Sequence, residues 1–475
     1  MKPSANRPKA APARLSGMRA FYVLWAGQFV SIFATRMTQF AITLWAWDLT
    51  GTATGLVLVG VAAFAPKVIL GPFAGTLIDR WNRKLVLALS DAGAAVATAI
   101  LLVLFATGQA QIWHLYLTGA LSGAFSAFQY PAYSSVVATM VPKEQFARVN
   151  GMRAVVGSAS GIGAPLLAGA LLALVQIPTI LILDLVTFGA AFGSLLIVHI
   201  PQPAQSQEGQ AGRGSILRET GQGLRYILAR RSLTAIFLLF TLSNIHAAFG
   251  YPMMTPMVLA KTGDDSVILG LVQSAGSVGF LAGGLLMSLW GGPKRRIHAI
   301  NISFILWGLV GAFVFGPAWT LPWWMVGSFS MAIFNPIVNS AYIAILQSKV
   351  APDLQGRIFG LEDTISTVSW PLGQLAAGML ADNLFEPAMA PGGGLAGTLG
   401  PIFGTGPGAG MGVLIVIGGI LAIGNGTLGY LVRPIRDIEE LMPDHGVGVE
   451  VAEPTEPRVS AGAGHSKSTS QLSGE

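Results

Sequence analysis

The chain is a succession of long apolar runs separated by short polar connections. Each run can cross a bilayer, because a spanning helix needs about 20 apolar residues. Of the 475 residues, 52% are hydrophobic and 11% are charged, whereas soluble domains carry about 25% charged residues. We therefore predict an all-α membrane protein rather than a soluble protein of buried helices. The twelve predicted transmembrane helices cover 20–46, 54–78, 85–106, 112–138, 150–174, 178–199, 232–258, 267–290, 297–316, 321–347, 358–382 and 411–432.

The second half of the chain repeats landmarks of the first half at one constant offset. The matched pairs are Gly75 with Gly284, Trp81 with Trp290, and Tyr133 with Tyr342. This pattern predicts two six-helix pseudo-repeats, which are typical of transporters that rock around a central site. The predicted organisation is an N-terminal tail at 1–17, a first bundle at 18–199, a linker at 200–231, a second bundle at 232–436 and a disordered tail at 437–475.

Basic residues lie before the first run, after the last, and in every second connection between them. The alternate connections carry almost no positive charge, with Lys261 as the exception. Because positively charged connections stay in the cytoplasm, both termini are predicted to be cytoplasmic.

Composition excludes several classes of function. The chain has no cysteine, which excludes disulfides, thiolate metal sites and cysteine nucleophiles. The net charge of +6 does not indicate nucleic acid, because the basic residues lie between membrane spans. The chain also lacks the phosphate-binding loop Gly-x-x-x-x-Gly-Lys-Ser/Thr. We expect no enzyme activity, no cofactor and no metal, and we expect a monomer in the lipid bilayer.

Two features of the predicted outer side stand out. Residues 384–410 are rich in glycine and proline, and we interpret them as a flexible connector rather than a lid. Pro252 and Pro256 are expected to break the seventh helix near its outer end.

The connection after the second run reads Gly75-x-x-x-Asp79-Arg80-x-x-Arg83-Lys84. The glycine allows a neighbouring helix to approach closely, and Asp79 can cap the positive end of a neighbouring helix. The second copy carries Ser288 where the first has Asp79, which predicts an asymmetric device.

These residues resemble the loop motif of the major facilitator superfamily, in which glycine usually stands at the position of Asn82. We expect Asn82 to tolerate a left-handed turn there. The resemblance implies the major facilitator fold and a bacterial inner-membrane location. It further implies a cytoplasmic latch between Asp79 and the start of the eleventh helix, which carries Glu362 and Asp363.

The fifth run contains a stretch of small residues around a proline. It resembles the motif that ends Gly-Pro-x-x-Gly-Gly in exporters of the superfamily, although alanine replaces two glycines. Such a face lets backbones touch and lets the helix bend, and ordinary tight packing is the alternative. The residues that carry the motif are Gly161, Gly163, Pro165 and Gly169.

Charges inside membrane spans are costly and are usually functional. One hypothesis is that Arg36, Lys67 and Asp91 form a buried charge group that couples ion movement to conformation, and the alternative is a static salt bridge. Asp184 has no evident partner in the sequence, which suits proton binding, and the alternative is that it faces the outer headgroups.

Polar and aromatic residues on the first, fourth, seventh and tenth helices are predicted to line a central cavity with little charge. His246 is expected to be a packing residue rather than a ligand. The cavity candidates are Gln28, Gln39, Phe128, Gln129, Tyr133, His246, Asn335, Asn339 and Tyr342.

The predicted function is secondary transport by alternating access. Four stretches, in the first, second, third and eleventh helices, resemble the branch that contains macrolide-efflux and enterobactin-type siderophore exporters. They are Leu24–Phe29, Ala65–Pro72, Ser90–Asp91 and Gly356–Gly360. This resemblance implies proton-coupled efflux of a hydrophobic or amphipathic small molecule. A lysophospholipid flippase or a metabolite importer on the same fold remains the alternative, and a membrane enzyme or a receptor is less expected.

Overall fold

The computed structural model describes residues 15–142, 145–200, 224–350 and 352–444. Within these ranges it describes no side chain at 72–73, 75–80, 130, 138, 147, 352–353, 356–357, 360, 362–364 or 366–368. Most of the predicted linker (201–223) and most of the predicted tails lie outside the described residues.

Each predicted run corresponds to one long helix, so the all-α fold is confirmed. The first six are α1 (Gly17–Thr50), α2 (Ala53–Arg80), α3 (Arg83–Ala106), α4 (Ile112–Met140), α5 (Phe146–Leu172) and α6 (Ile177–Ile197). The second six are α7 (Arg231–Thr262), α8 (Ser266–Trp290), α9 (Arg296–Leu306, prolonged to Phe315), α10 (Leu321–Lys349), α11 (Pro352–Leu380) and α12 (Ala409–Leu431). In the described part of the chain, nine helices are long and apolar enough to cross a membrane by composition alone.

The predicted break in α7 is wrong, because the helix continues through Pro252 and Pro256 to Thr262. Proline is tolerated in a membrane helix when neighbouring groups satisfy the backbone that it frees. The helix ends where Gly263 adopts φ 64° and its N–H bonds to the Leu259 carbonyl.

We call the side where α1 begins and α12 ends the terminal side, and the opposite side the far side. Two separate apolar clusters occupy the terminal side. One lies in α1–α6 and includes Phe21 and Val137, and the other lies in the second bundle and includes Ile300 and Tyr342. On the far side a single cluster contains residues of both bundles. The two bundles therefore share a core only at the far side, as far as the described residues extend.

Residues 384–410 are not a featureless connector. They form short helices over Glu386–Met389 and Ala396–Phe403, and Met389 and Phe403 are buried against α12. The Glu386 carboxylate accepts hydrogen bonds from the backbone N–H groups of Gly408 and Met411 at 3.0 and 2.8 Å. Burial raises the pKa of Glu386, and these two bonds oppose the rise. The segment is an ordered cap on the second bundle.

The start of the predicted C-terminal tail is also ordered. Ile438–Leu441 form a helical turn that buries Ile438, and Lys349 pairs with Asp444 at 2.8 Å. This ammonium holds the pKa of Asp444 below its usual range. The polar composition from 437 onward predicts disorder, but apolar side chains such as Ile438 pack against the second bundle.

Candidate functional site

A cavity of about 340 Å³ lies at mid-depth in the second bundle. Aromatic rings form much of its wall, including Phe240, Phe304, Trp307 and Trp370. Its polar groups are serines, asparagines and one histidine, and no Asp, Glu, Lys or Arg is among the described residues that line it. A cavity of this chemistry suits a ligand with large apolar surface and a few hydrogen-bonding groups.

Three predicted cavity residues line this cavity, namely His246, Asn335 and Asn339. The His246 ring is 4% exposed and lies 5.2 Å from the Phe304 ring and 5.1 Å from the Trp307 ring, measured between centroids. Its Nδ1 atom has no hydrogen-bond partner among the described residues. His246 is therefore a packing residue with one buried polar atom that no described residue satisfies.

The other predicted cavity residues have different neighbours. Tyr342 is buried behind the wall and stacks on Phe240 with 4.0 Å between ring centroids. Phe128 and Tyr133 pack against the terminal-side cluster of the first bundle. Gln39 is exposed. A position of Gln39, Phe128 and Tyr133 on a central cavity between the bundles stays a prediction, whereas Gln28 and Gln129 both bond to one buried carboxylate.

That carboxylate is Asp91 of α3. It accepts hydrogen bonds from the side-chain amides of Gln28 and Gln129, both at 2.8 Å. Arg36 and Lys67 are exposed and form no ion pair with Asp91. The predicted charge group is therefore not assembled. Amide donors replace the cations, and they link α1, α3 and α4.

Asp184 of α6 is buried, with 5% exposure. Its carboxylate accepts hydrogen bonds from Thr35 of α1 at 2.9 Å and from Thr98 of α3 at 3.3 Å. No sequence pattern points to these partners, because threonine is common on membrane helices and the three residues are far apart in the chain.

Helix α5 packs closely against α8, across the boundary between the two bundles. Ser277 and Ser274 donate hydrogen bonds to the carbonyls of Gly161 and Ile162, both at 2.7 Å. Ser266 donates to the Gly169 carbonyl at 3.0 Å. A Cβ added to Gly169 would collide with the backbone carbonyl oxygen of Ser266.

Two other motif residues of α5 also make close approaches. A Cβ on Gly270 of α8 would lie 2.6 Å from the Pro165 carbonyl oxygen. Gly163 faces α1 instead, where a Cβ would lie 2.9 Å from the Phe33 ring. The small residues therefore allow contact with two neighbouring helices at once.

A second contact between the bundles joins α2 and the end of α11. The Asp382 carboxylate accepts hydrogen bonds from the backbone N–H groups of Ala53 and Thr54, at 2.9 and 2.7 Å. These are the first residues of α2, so Asp382 caps that helix. Asp264 adds a third link, because it accepts a 2.6 Å hydrogen bond from the Trp47 indole. We call the α5–α8 and α2–α11 contacts together the far-side seal.

The loop motif at 75–84 is described only in part. The side chains of Gly75, Asp79, Arg80, Glu362 and Asp363 lie outside the described residues, so the latch stays a prediction. Asn82 does not adopt a left-handed turn, since its φ is −64°. It caps α3 instead, by accepting from the N–H groups of Lys84 and Leu85.

Two basic residues of the motif, Arg83 and Lys84, donate hydrogen bonds to carbonyls near the ends of α4 and α6. Arg83 donates to the Ser135 carbonyl at 3.3 Å, and Lys84 donates to the Val198 carbonyl at 2.7 Å. Such cations stabilise the negative end of a helix.

Comparison with known proteins gives consistent matches over most of the chain. The family model described as Major Facilitator Superfamily matches residues 24–374. Macrolide efflux protein A of Streptococcus pyogenes is 26% identical over 379 residues, which is 77% of this chain and 90% of that protein. Multidrug efflux pump Tap of Mycobacterium tuberculosis is 24% identical over 370 residues, covering 74% and 87%.

Solved structures share the fold. A bacterial homolog of the human lysosomal transporter Spinster, in an inward-facing and unoccupied conformation, has a TM-score of 0.61 at 15% identity, covering 88% of this chain and 97% of that one. The nucleoside transporter NupG has a TM-score of 0.61 at 12% identity, covering 86% and 98%.

Proposed function

The chain belongs to the major facilitator superfamily, and we propose that it exports hydrophobic or amphipathic small molecules in exchange for protons. Relatives at 26% and 24% identity are named as macrolide and multidrug efflux proteins, which supports export of this chemical class. The two-bundle architecture supports alternating access, in which the bundles rock around a site at mid-depth.

The observation that carries the proposal is that the described parts of the bundles are joined at one side only. A mixed core and the far-side seal close the far side, while the terminal-side clusters are separate. The basic connections assign the terminal side to the cytoplasm. We propose on this assignment that the described state is closed to the outside and inward-facing, which is the state that takes substrate from the cytoplasm.

Cavity chemistry supports the substrate class. The wall is aromatic, with polar side chains such as Asn335 and Asn339. A phosphorylated substrate would require converging arginine or lysine side chains, and no described residue of the wall is of that kind. An apolar molecule with scattered hydrogen-bonding groups fits this wall.

When the bundles rock, the opposite side must close. We propose that Asp79 then caps the start of α11 at Pro352, as the family motif implies; Glu362 and Asp363 lie ten and eleven residues further along this helix. Asp382 performs the equivalent task for the start of α2 in the present state. The two sides would thus alternate between similar helix caps.

The test of export uses inside-out membrane vesicles and a labelled macrolide. We expect accumulation in energised vesicles and its collapse on adding a protonophore. Replacing Asn335 with leucine should lower uptake about tenfold, since one hydrogen bond of roughly 1.4 kcal/mol is lost. Lysophospholipid movement without macrolide uptake would favour a flippase, and uptake only in right-side-out vesicles would favour import. Either result would contradict the proposal.

Asp382→Ala should weaken the far-side seal. Loss of a helix cap costs about 1 kcal/mol, so opening to the outside should rise roughly fivefold. A single cysteine replacing Ser274, which lies inside the seal, reports this opening through its labelling rate with a membrane-impermeant maleimide. Asn383→Ala is the control, because Asn383 is exposed and its side-chain amide bonds to the Met379 carbonyl one turn earlier. Equal labelling of the two variants would contradict the role of Asp382.

A further inference from the structure

Among the described residues of the first bundle, the carboxylates of Asp91 and Asp184 are buried, in different settings. We propose that Asp184 is the proton-binding site of the transporter, and that Asp91 is a fixed clamp between helices. This inference rests on the proposed proton-coupled export and assigns the coupling proton to one residue. It also places the proton and the exported compound at different sites, because the cavity is lined by the second bundle and Asp184 lies in the first.

Asp184 lies seven residues after Ile177, where α6 begins at the far side. At 1.5 Å per residue it is about 10 Å from that end of the helix. Hydroxyl groups from two other helices surround its carboxyl. Thr35 and Thr98 donate to its two oxygens. The buried Thr38 hydroxyl also faces the carboxyl, without completing a hydrogen bond of standard geometry.

The described hydrogen-bond partners of the Asp184 carboxyl are all neutral. Helices α1 and α3 pack against α6. The nearest charged residue on α1 is Arg36, which is exposed and pairs with no described carboxylate. On α3, Asp91 lies two turns from Thr98 and bonds to Gln28 and Gln129. A buried charge without a counter-charge is costly, and binding a proton at Asp184 removes that cost.

The hydroxyl partners can serve both protonation states. A hydroxyl donates one hydrogen bond and can also accept, and it changes role by rotating its O–H. Thr98 lies 3.3 Å from the Asp184 carboxylate and also 3.3 Å from the Ala94 carbonyl oxygen. When Asp184 takes up a proton, Thr98 can turn its own O–H to Ala94 and accept the new O–H of Asp184. No heavy atom has to move.

The partners of Asp91 lack this freedom. Each carboxylate oxygen accepts from one side-chain amide at 2.8 Å, which favours the ionised form. To accept a hydrogen bond from a protonated Asp91, an amide would have to turn over and exchange its NH₂ for its oxygen. These bonds tie α1 and α4 to α3. Asp91 is therefore the control for Asp184, because it is a buried carboxylate whose partners cannot change from donor to acceptor by rotating a hydroxyl group.

The experiment measures carboxyl protonation directly, in the purified full-length protein in lipid nanodiscs. Infrared difference spectra between neutral and alkaline pH, where exposed carboxyl groups stay ionised, should contain a carboxylic-acid C=O band. Asp184→Asn should remove this band, Asp91→Asn should retain it, and Thr98→Val should shift it. The probe is the proton alone, so the result does not depend on the exported compound.

Transport provides the second readout. Proton-driven macrolide export by Asp184→Asn should fall at least about fivefold, the lower end of typical coupling between two sites. Exchange of labelled for unlabelled macrolide without a pH gradient should persist in this variant, because the cavity is intact. A band removed by Asp91→Asn instead, or proton-driven export retained in Asp184→Asn, would overturn the inference. If the unmodified protein transports no macrolide at all, the proposed function itself is overturned.

Discussion

Gly169→Ala should keep the far-side seal from closing and hold the transporter open to the outside. The added Cβ would collide with the Ser266 carbonyl oxygen, and a backbone atom cannot turn away as a flexible side chain can. Overpacking of this kind costs about 1–3 kcal/mol, which changes a two-state equilibrium roughly 5- to 150-fold. Because substrate is taken up in the inward-facing state, export should fall by a similar factor.

The control lies on the same helix. Gly157→Ala makes the identical change at a position where a Cβ would have no neighbour within 4 Å. A single cysteine at position 274 reports the opening of the seal, and the chain has no other cysteine to label. Labelling from outside should be faster in Gly169→Ala and unchanged in Gly157→Ala. Equal rates in the two variants would mean that the α5–α8 contact does not close the far side.

A disulfide between α5 and α8 should lock the seal shut and abolish transport. A Cβ built on Gly161 lies 3.5 Å from the Ser277 Cβ, at the short end of the range of about 3.5–4.5 Å that disulfides require. The two residues belong to different bundles, which must separate here when the outside opens. Gly161→Cys with Ser277→Cys should therefore cross-link readily in the present state.

The helices were predictable because each apolar run must cover about 30 Å of hydrocarbon. The repeat was predictable because Gly75 and Gly284 keep their places in both copies. The close approach of Gly169 followed from its small size in the same way. Each of these properties depends on the residue types themselves and not on which helices pack together.

The partners of the buried carboxylates were not predictable, because they depend on which helix faces which. Asp91 bonds to Gln28 across 63 positions and Asp184 to Thr35 across 149 positions. A charge-pairing argument selected Arg36 and Lys67, but neutral donors satisfy a carboxylate as well. The Asp382 cap was missed for a similar reason, since no motif marks the residue that reaches the start of α2.

Transport by Gly161→Cys/Ser277→Cys, measured before oxidation, after oxidation and after reduction, tests alternating access most directly. We expect measurable export before oxidation, near-complete loss when the disulfide forms, and recovery to the starting level on reduction. Each single-cysteine variant should be insensitive to the same treatment. Undiminished export by fully cross-linked protein would show that the far side need not open, and would contradict the account.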